Sequence, residues 1–189
     1  MLVEAIISYL IGSINFSYII GRLLGVDISK SWDKNLGATN LYMSIKGSHK
    51  FKIFIAVITG VLDVIKGIVP AILFGPIYSA FAVVGHCFSI ISYYFTRRIP
   101  SGCGIATSLG WEIICLPYAI IPTVLLIGIY GYLLKSKYKS VRDEMGYVAI
   151  QAYGSLIGLS IGFSYNVLIG IIIWYTSIFV ARMLRVFEK

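Results

Sequence analysis

The chain has 189 residues and a net charge of +8; 58% of its residues are hydrophobic and only 13% are charged. A mean hydropathy of +0.88 excludes a soluble globular domain, which never needs that much apolar surface, and points to an all-α integral membrane protein. At about 20 apolar residues per span there is room for about five to seven spans and no separate soluble domain, so residues 1–189 read as a single multi-pass membrane domain. The surplus positive charge then belongs to membrane-flanking loops, and nucleic acid is not an expected partner.

The first apolar run covers residues 2–24 and carries Glu4 but no basic residue ahead of it. Without a basic start or a small-residue cleavage site it reads as a retained span. Arg22 and then Lys30, Lys34, Lys46, Lys50 and Lys52 mark the following loop as cytoplasmic. Inside that loop lies Asp33-Lys34-Asn35-Leu36-Gly37-Ala38-Thr39-Asn40. Polar loops with small residues let backbone N–H groups approach an anion, so this stretch is a candidate phosphate cradle at the membrane edge.

The second run, 53–74, holds Asp63 and Lys66 one helical turn apart. Charges at that depth are paired or functional, and this pair is read as a structural ion pair facing the bundle. The connection Phe74-Gly75-Pro76 has no basic residue and is expected to face outward. In the third run, 77–96, His86 follows Gly85. It reads either as a hydrogen-bonded packing histidine or as a catalytic or substrate-orienting one. Tyr93-Tyr94-Phe95 fits an interfacial belt just before Arg97 and Arg98.

The fourth run, 104–134, is interrupted by Pro117 and Pro122 and is followed by Lys135, Lys137, Lys139 and Arg142. If the loops on both sides are cytoplasmic, this run crosses the membrane an even number of times. A short arm over 104–116, a turn near Pro117 and a return span to 134 satisfy charge and proline together. The short arm measures roughly 20 Å, less than a bilayer core, and is expected to be enclosed by protein. It carries Glu112, a buried carboxylate needing a partner, for which Arg98 and Lys66 are candidates. Runs at 146–163 and 164–181 follow, joined by the uncharged Phe163-Ser164-Tyr165-Asn166, and Arg182, Arg185 and Lys189 close the chain. The total is about seven segments, with the N-terminus outside and the C-terminus cytoplasmic. A six-span alternative leaves Lys135–Arg142 outside, against the charge rule. Cys87, Cys103 and Cys115 are odd in number and show no metal-ligand spacing, so they read as free thiols in a reduced or apolar setting.

Five pieces in order carry a family resemblance. They are Gly12-Ser13-Ile14-Asn15 with Ile20-Gly21-Arg22-Leu23, Asn35-Leu36-Gly37-Ala38-Thr39-Asn40, Asp63 with Lys66-Gly67, Gly85-His86-Cys87-Phe88, and Gly102-Cys103-Gly104-Ile105-Ala106-Thr107. In this order and spacing the chain resembles the PlsY family of bacterial glycerol-3-phosphate acyltransferases. The resemblance implies a PlsY-like helical bundle in the inner membrane. It also implies acyl transfer from acyl phosphate to the 1-hydroxyl of glycerol 3-phosphate, giving lysophosphatidate in phospholipid biosynthesis. Membrane lipid, acyl phosphate and glycerol 3-phosphate would be its partners, and the resemblance implies no metal and no bound cofactor. Lys34, Asn35, Gly37, Thr39 and Asn40, with Gly102, Gly104 and Thr107, are then the substrate- and phosphate-binding frame, and Arg22, Lys66 and His86 match family positions.

The charged residues of the frame differ from the family pattern. Trp32-Asp33-Lys34 stands for Gly-Ser-Gly, Met43 for an arginine, Pro100 and Cys103 for two lysines, and Arg182-Met183 for Arg-His. Arg97 and Arg98 are therefore candidate catalytic cations alongside His86, and Glu112 a candidate replacement polar contact. Three functions are carried forward: the acyltransferase, a non-catalytic relative binding lipid or a membrane partner, and a small-anion transporter. The last has the least support, since no inverted repeat is visible.

Overall fold

The computed structural model describes residues 1–31, 35–117, 120–121, 123–125 and 165–187. All regular structure among them is helical: α1 (Leu2–Ser13), α2 (Phe16–Leu23), a single 3-10 turn (Ile28–Lys30), α3 (Ala38–Ser44), α4 (His49–Phe74), α5 (Pro76–Cys87), α6 (Ile90–Thr96), α7 (Ile105–Cys115) and α8 (Tyr165–Phe187). Among the described residues three stretches are long and apolar enough to cross a membrane: Leu2–Leu23, His49–Phe74 and Pro76–Thr96. The short arm expected at 104–116 is α7. The return span toward 134 lies mostly, and the run 146–163 and the Lys135–Arg142 loop lie wholly, outside the described residues.

The first and third spans each differ from the continuous helix expected. Asn15 breaks the first: its side chain accepts the N–H of Tyr18 and caps α2. Ser89 breaks the third in the same way, accepting the N–H of Ser92 to cap α6. Short polar side chains offer the backbone an alternative to helix, which is why both breaks fall on them. A break inside a membrane is tolerated only where protein satisfies the released carbonyls. Here Lys66 donates to Gly12 at 3.2 Å and to Ile14 at 2.7 Å, while Ser89 donates to the intervening Ser13 at 2.6 Å.

Helix α5 is the hub and packs against α1, α4, α7 and α8. Its contact with α1 is built on reciprocal glycines. A Cβ on Gly12 would overlap the Ala82 backbone, and one on Gly85 would overlap the Tyr9 carbonyl. The α4–α7 contact repeats the device, with Gly67 against the Thr107 carbonyl and Gly110 against that of Val64. With no hydrophobic force between helices in lipid, such close approach supplies much of the association energy. Trp111, fully buried on α7, donates its indole N–H to the Pro76 carbonyl at 2.9 Å and packs against Gly170 of α8. Exposed Phe54, Val57, Val61 and Ile72 on α4 leave an apolar outer face suited to lipid.

Candidate functional site

The loop after α2 owes its shape to an apolar plug and one amide. Ile28, Leu36, Leu41 and Ile45 form a buried cluster with Tyr18, Val26 and Ile55 packed on it. Asn40, fully buried, donates to the carbonyls of Asn35 (2.7 Å) and Ile28 (3.0 Å). Its oxygen accepts from the hydroxyls of Ser31 (2.7 Å) and Ser44 (3.1 Å). All of the amide's capacity is spent on holding this loop. Gly37 caps α3 in extended backbone, and Thr39 lies exposed in its first turn. Lys34 lies outside the described residues.

The second loop, between α6 and α7, reaches the first. Leu36 donates its backbone N–H to the Ser101 carbonyl at 2.8 Å, and the Asn35 side chain donates to Cys103 Sγ at 3.7 Å. Ser101 in turn binds back to α5: its N–H goes to the Cys87 carbonyl (2.8 Å) and its hydroxyl to that of His86 (2.7 Å). The segments 35–40 and 101–107, about 60 residues apart in sequence, therefore share one end of the bundle. Gly104 caps α7 at φ 73°, a conformation that favours glycine, and a Cβ there would press on Cys87 and Val83. Thr107 is buried against Gly67.

Beneath the second loop lies the charged cluster. Lys66 Nζ is 2.9 Å from Asp63 Oδ1 and 2.9 Å from His86 Nδ1, and all three side chains are buried. The ammonium also faces the Phe16 ring at 5.6 Å. The opposite edge of His86 lies against Gly102, whose added Cβ would meet Nε2 first.

The two arginines after α6 take a different position. Arg97 ends that helix in the left-handed conformation (φ 56°) and lies exposed over the rings of Tyr93 (5.8 Å) and Tyr94 (5.9 Å). Arg98 is half-buried beside it. Glu112 is fully buried on α7. Arg22 pairs at the surface with Asp27 at 3.3 Å, where Asp27 also caps the 3-10 turn. Sequence reasoning missed Ser13, Ser89 and Ser101, which tie the helix breaks to the loop. The sequence signal for Ser13 and Ser89 is a small polar residue inside an otherwise apolar run, and for Ser101 its place beside Gly102 in the second loop.

Comparison with known proteins fits this geometry. The family model described as glycerol-3-phosphate acyltransferase matches residues 2–186. The chain belongs to the glycerol-3-phosphate acyltransferase family. The family member from Campylobacter concisus (strain 13826) is 34% identical over 140 residues, covering 68% of this chain and 66% of that protein, just under two thirds of its length. The one from Aliarcobacter butzleri (strain RM4018) is 30% identical over 191 residues, covering 92% and 87%. Among solved structures, PlsY, an integral membrane glycerol 3-phosphate acyltransferase, matches in its glycerol 3-phosphate form with a TM-score of 0.73 at 24% identity, covering 98% of this chain and 89% of that one. Its lysophosphatidic acid form matches with a TM-score of 0.71 at 25% identity and the same coverage. The family fold thus extends over nearly the whole chain.

Proposed function

We propose that the protein is a membrane acyltransferase that moves a fatty acyl group from acyl phosphate to the 1-hydroxyl of glycerol 3-phosphate. The observation that carries this reading is the junction of Leu36 with Ser101, which sets two glycine-bearing loops side by side in a member of this family. The substrate oxygen bonds the acyl carbon, the carbon–oxygen bond to phosphate breaks, and the hydroxyl proton leaves with phosphate or solvent. Acyl phosphate is a mixed anhydride with a good leaving group, so the protein's task is to hold two phosphates and an acyl chain in attack geometry. In this reading Lys34, Asn35, Gly37, Thr39 and Asn40 frame one phosphate, and Gly102, Gly104 and Thr107 frame the other. Asp63 and Lys66 hold the frame from below. Residues 1–189 act as one domain in the cell's inner membrane, with the N-terminus outside and both loops cytoplasmic, where the small phosphate substrate is dissolved.

A second reading, a non-catalytic relative that binds lipid or a membrane partner, draws on one observation. Arg97 is engaged with Tyr93 and Tyr94, while Pro100 and Cys103 bring no cation to the second loop. Purified protein given acyl phosphate and labelled glycerol 3-phosphate separates the two, with Pro100→Lys/Cys103→Lys run alongside. Lysophosphatidate formed by the native chain supports the acyltransferase. Turnover confined to the double variant, or absent from folded protein, supports the non-catalytic relative.

A further inference from the structure

The four partners of Lys66 determine which nitrogen of His86 carries a proton. An ammonium has three N–H donors and no acceptor. Around Nζ stand the Ile14 carbonyl at 2.7 Å, Asp63 Oδ1 at 2.9 Å, His86 Nδ1 at 2.9 Å and the Gly12 carbonyl at 3.2 Å. The two carbonyls and His86 Nδ1 take the three hydrogens, Asp63 Oδ1 stands beside them as the counter-charge, and the Phe16 ring face at 5.6 Å favours positive charge at the same point. A proton on Nδ1 would face that ammonium donor to donor. Asp63 offers no escape, since its Oδ1 is 3.8 Å from Nδ1, beyond hydrogen-bond length.

We propose that Lys66 locks His86 as the neutral tautomer protonated on Nε2, making it a fixed hydrogen-bond donor at the Gly102 loop and not a general base. A basic histidine of the Asp–His kind needs Nδ1–H donating to its carboxylate, with Nε2 left as acceptor. Here the cation is interposed between Asp63 and the ring, and the ring is turned the other way. Nε2 abuts Gly102 at the point where a Cβ would stand, so the donor edge belongs to the second loop. His86 is thus a positioning residue for that loop, and Lys66 is what orients it. The loop's role in acyl transfer rests on the function proposed above, whereas the tautomer itself does not.

The test therefore begins with a readout independent of activity. The chain holds two histidines, His49 and His86, and His49 bonds the Tyr42 hydroxyl at the surface (2.9 Å), so His49→Asn leaves a single imidazole. Nitrogen-15 histidine NMR of this variant in nanodiscs is expected to show an unprotonated Nδ1 and a protonated Nε2. A Nδ1–H tautomer or an imidazolium at neutral pH overturns the proposal. Adding Asp63→Asn/Lys66→Met, which removes both buried charges together, should release the ring into a mixture of tautomers; an unchanged spectrum from folded protein overturns the role of Lys66. For protein that turns over, His86→Gln keeps an N–H near the Nε2 position and should stay within about tenfold of the native rate, while His86→Leu should lose roughly a hundredfold or more. Equal losses in both variants overturn the donor role. Absence of turnover in the native chain overturns the acyltransferase reading and leaves the NMR result to decide the tautomer.

Discussion

The backbone N–H of Leu36 reaches the carbonyl of Ser101 at 2.8 Å, across about 65 residues of intervening chain. Leu36 is fully buried in the plug beneath the first loop, and Ser101 is anchored to the end of α5 through the carbonyls of His86 and Cys87. The loops are thus parts of one structure, and disturbing either is expected to disturb both.

Asn40 offers the sharpest test of that coupling. Asn40→Ala orphans buried carbonyls and hydroxyls, each worth ~1–3 kcal/mol, and should lower the melting temperature in detergent by several degrees. Asn40→Asp should do more harm than its size suggests. It puts a second acceptor against the carbonyls of Ile28 and Asn35, which now receive the amide N–H groups.

Substitution to alanine should act oppositely at two glycines. At Gly85 an added Cβ would overlap the Tyr9 carbonyl, and the forced separation of α1 from α5 should cost ~1–3 kcal/mol. At Gly60, inside α4, nothing lies within 4 Å of that position, and Gly60→Ala should stabilise by ~0.4–1 kcal/mol by restricting the unfolded chain. Thermal melts of the two variants side by side check both signs.

Lys66→Met leaves Asp63 buried beside an apolar side chain, and should cost ~3–5 kcal/mol. Asp63→Asn/Lys66→Met should recover much of that loss, because no lone charge remains. A double variant as unstable as the single one would mean that the helix-break carbonyls, and not the ion pair, dominate the contribution of Lys66.

Cys103 is half-buried in the second loop whereas Cys87 is fully buried. Maleimide should therefore modify Cys103 ahead of Cys87, and glycerol 3-phosphate should slow the modification if the loop meets substrate. Mass spectrometry of the labelled peptides reads both effects; labelling at Cys103 unaffected by saturating glycerol 3-phosphate would remove that loop from the binding site.

The sequence carried the helical membrane class, the short arm now seen as α7 (Ile105–Cys115) and the two loops, because hydropathy, proline and glycine act locally. It did not carry the breaks at Asn15 and Ser89. Their neighbours are apolar enough to read as continuous span, and the carbonyls they release are satisfied by distant side chains. The closeness of Lys66 to Asp63 follows from their spacing of three along one helix. Its hold on Ile14 and His86 does not, because that depends on how α1, α4 and α5 cross. Arg97 illustrates the opposite limit, since its charge and position suggested the loop while its left-handed backbone and two neighbouring tyrosines take it to the surface.

The interrupted first span also bears on how the chain is made. Gly12, Ser13 and Ile14 accept from side chains 54, 76 and 52 residues further along. When the N-terminal helix emerges from the ribosome, those donors have not yet been synthesised. Three peptide oxygens in hydrocarbon without partners would each cost several kcal/mol, so early release of the first segment into lipid is unfavourable. The nascent chain should linger in a wet, protein-lined environment until residue 89 is available. Insertion would then proceed as a delayed, cooperative event instead of helix by helix.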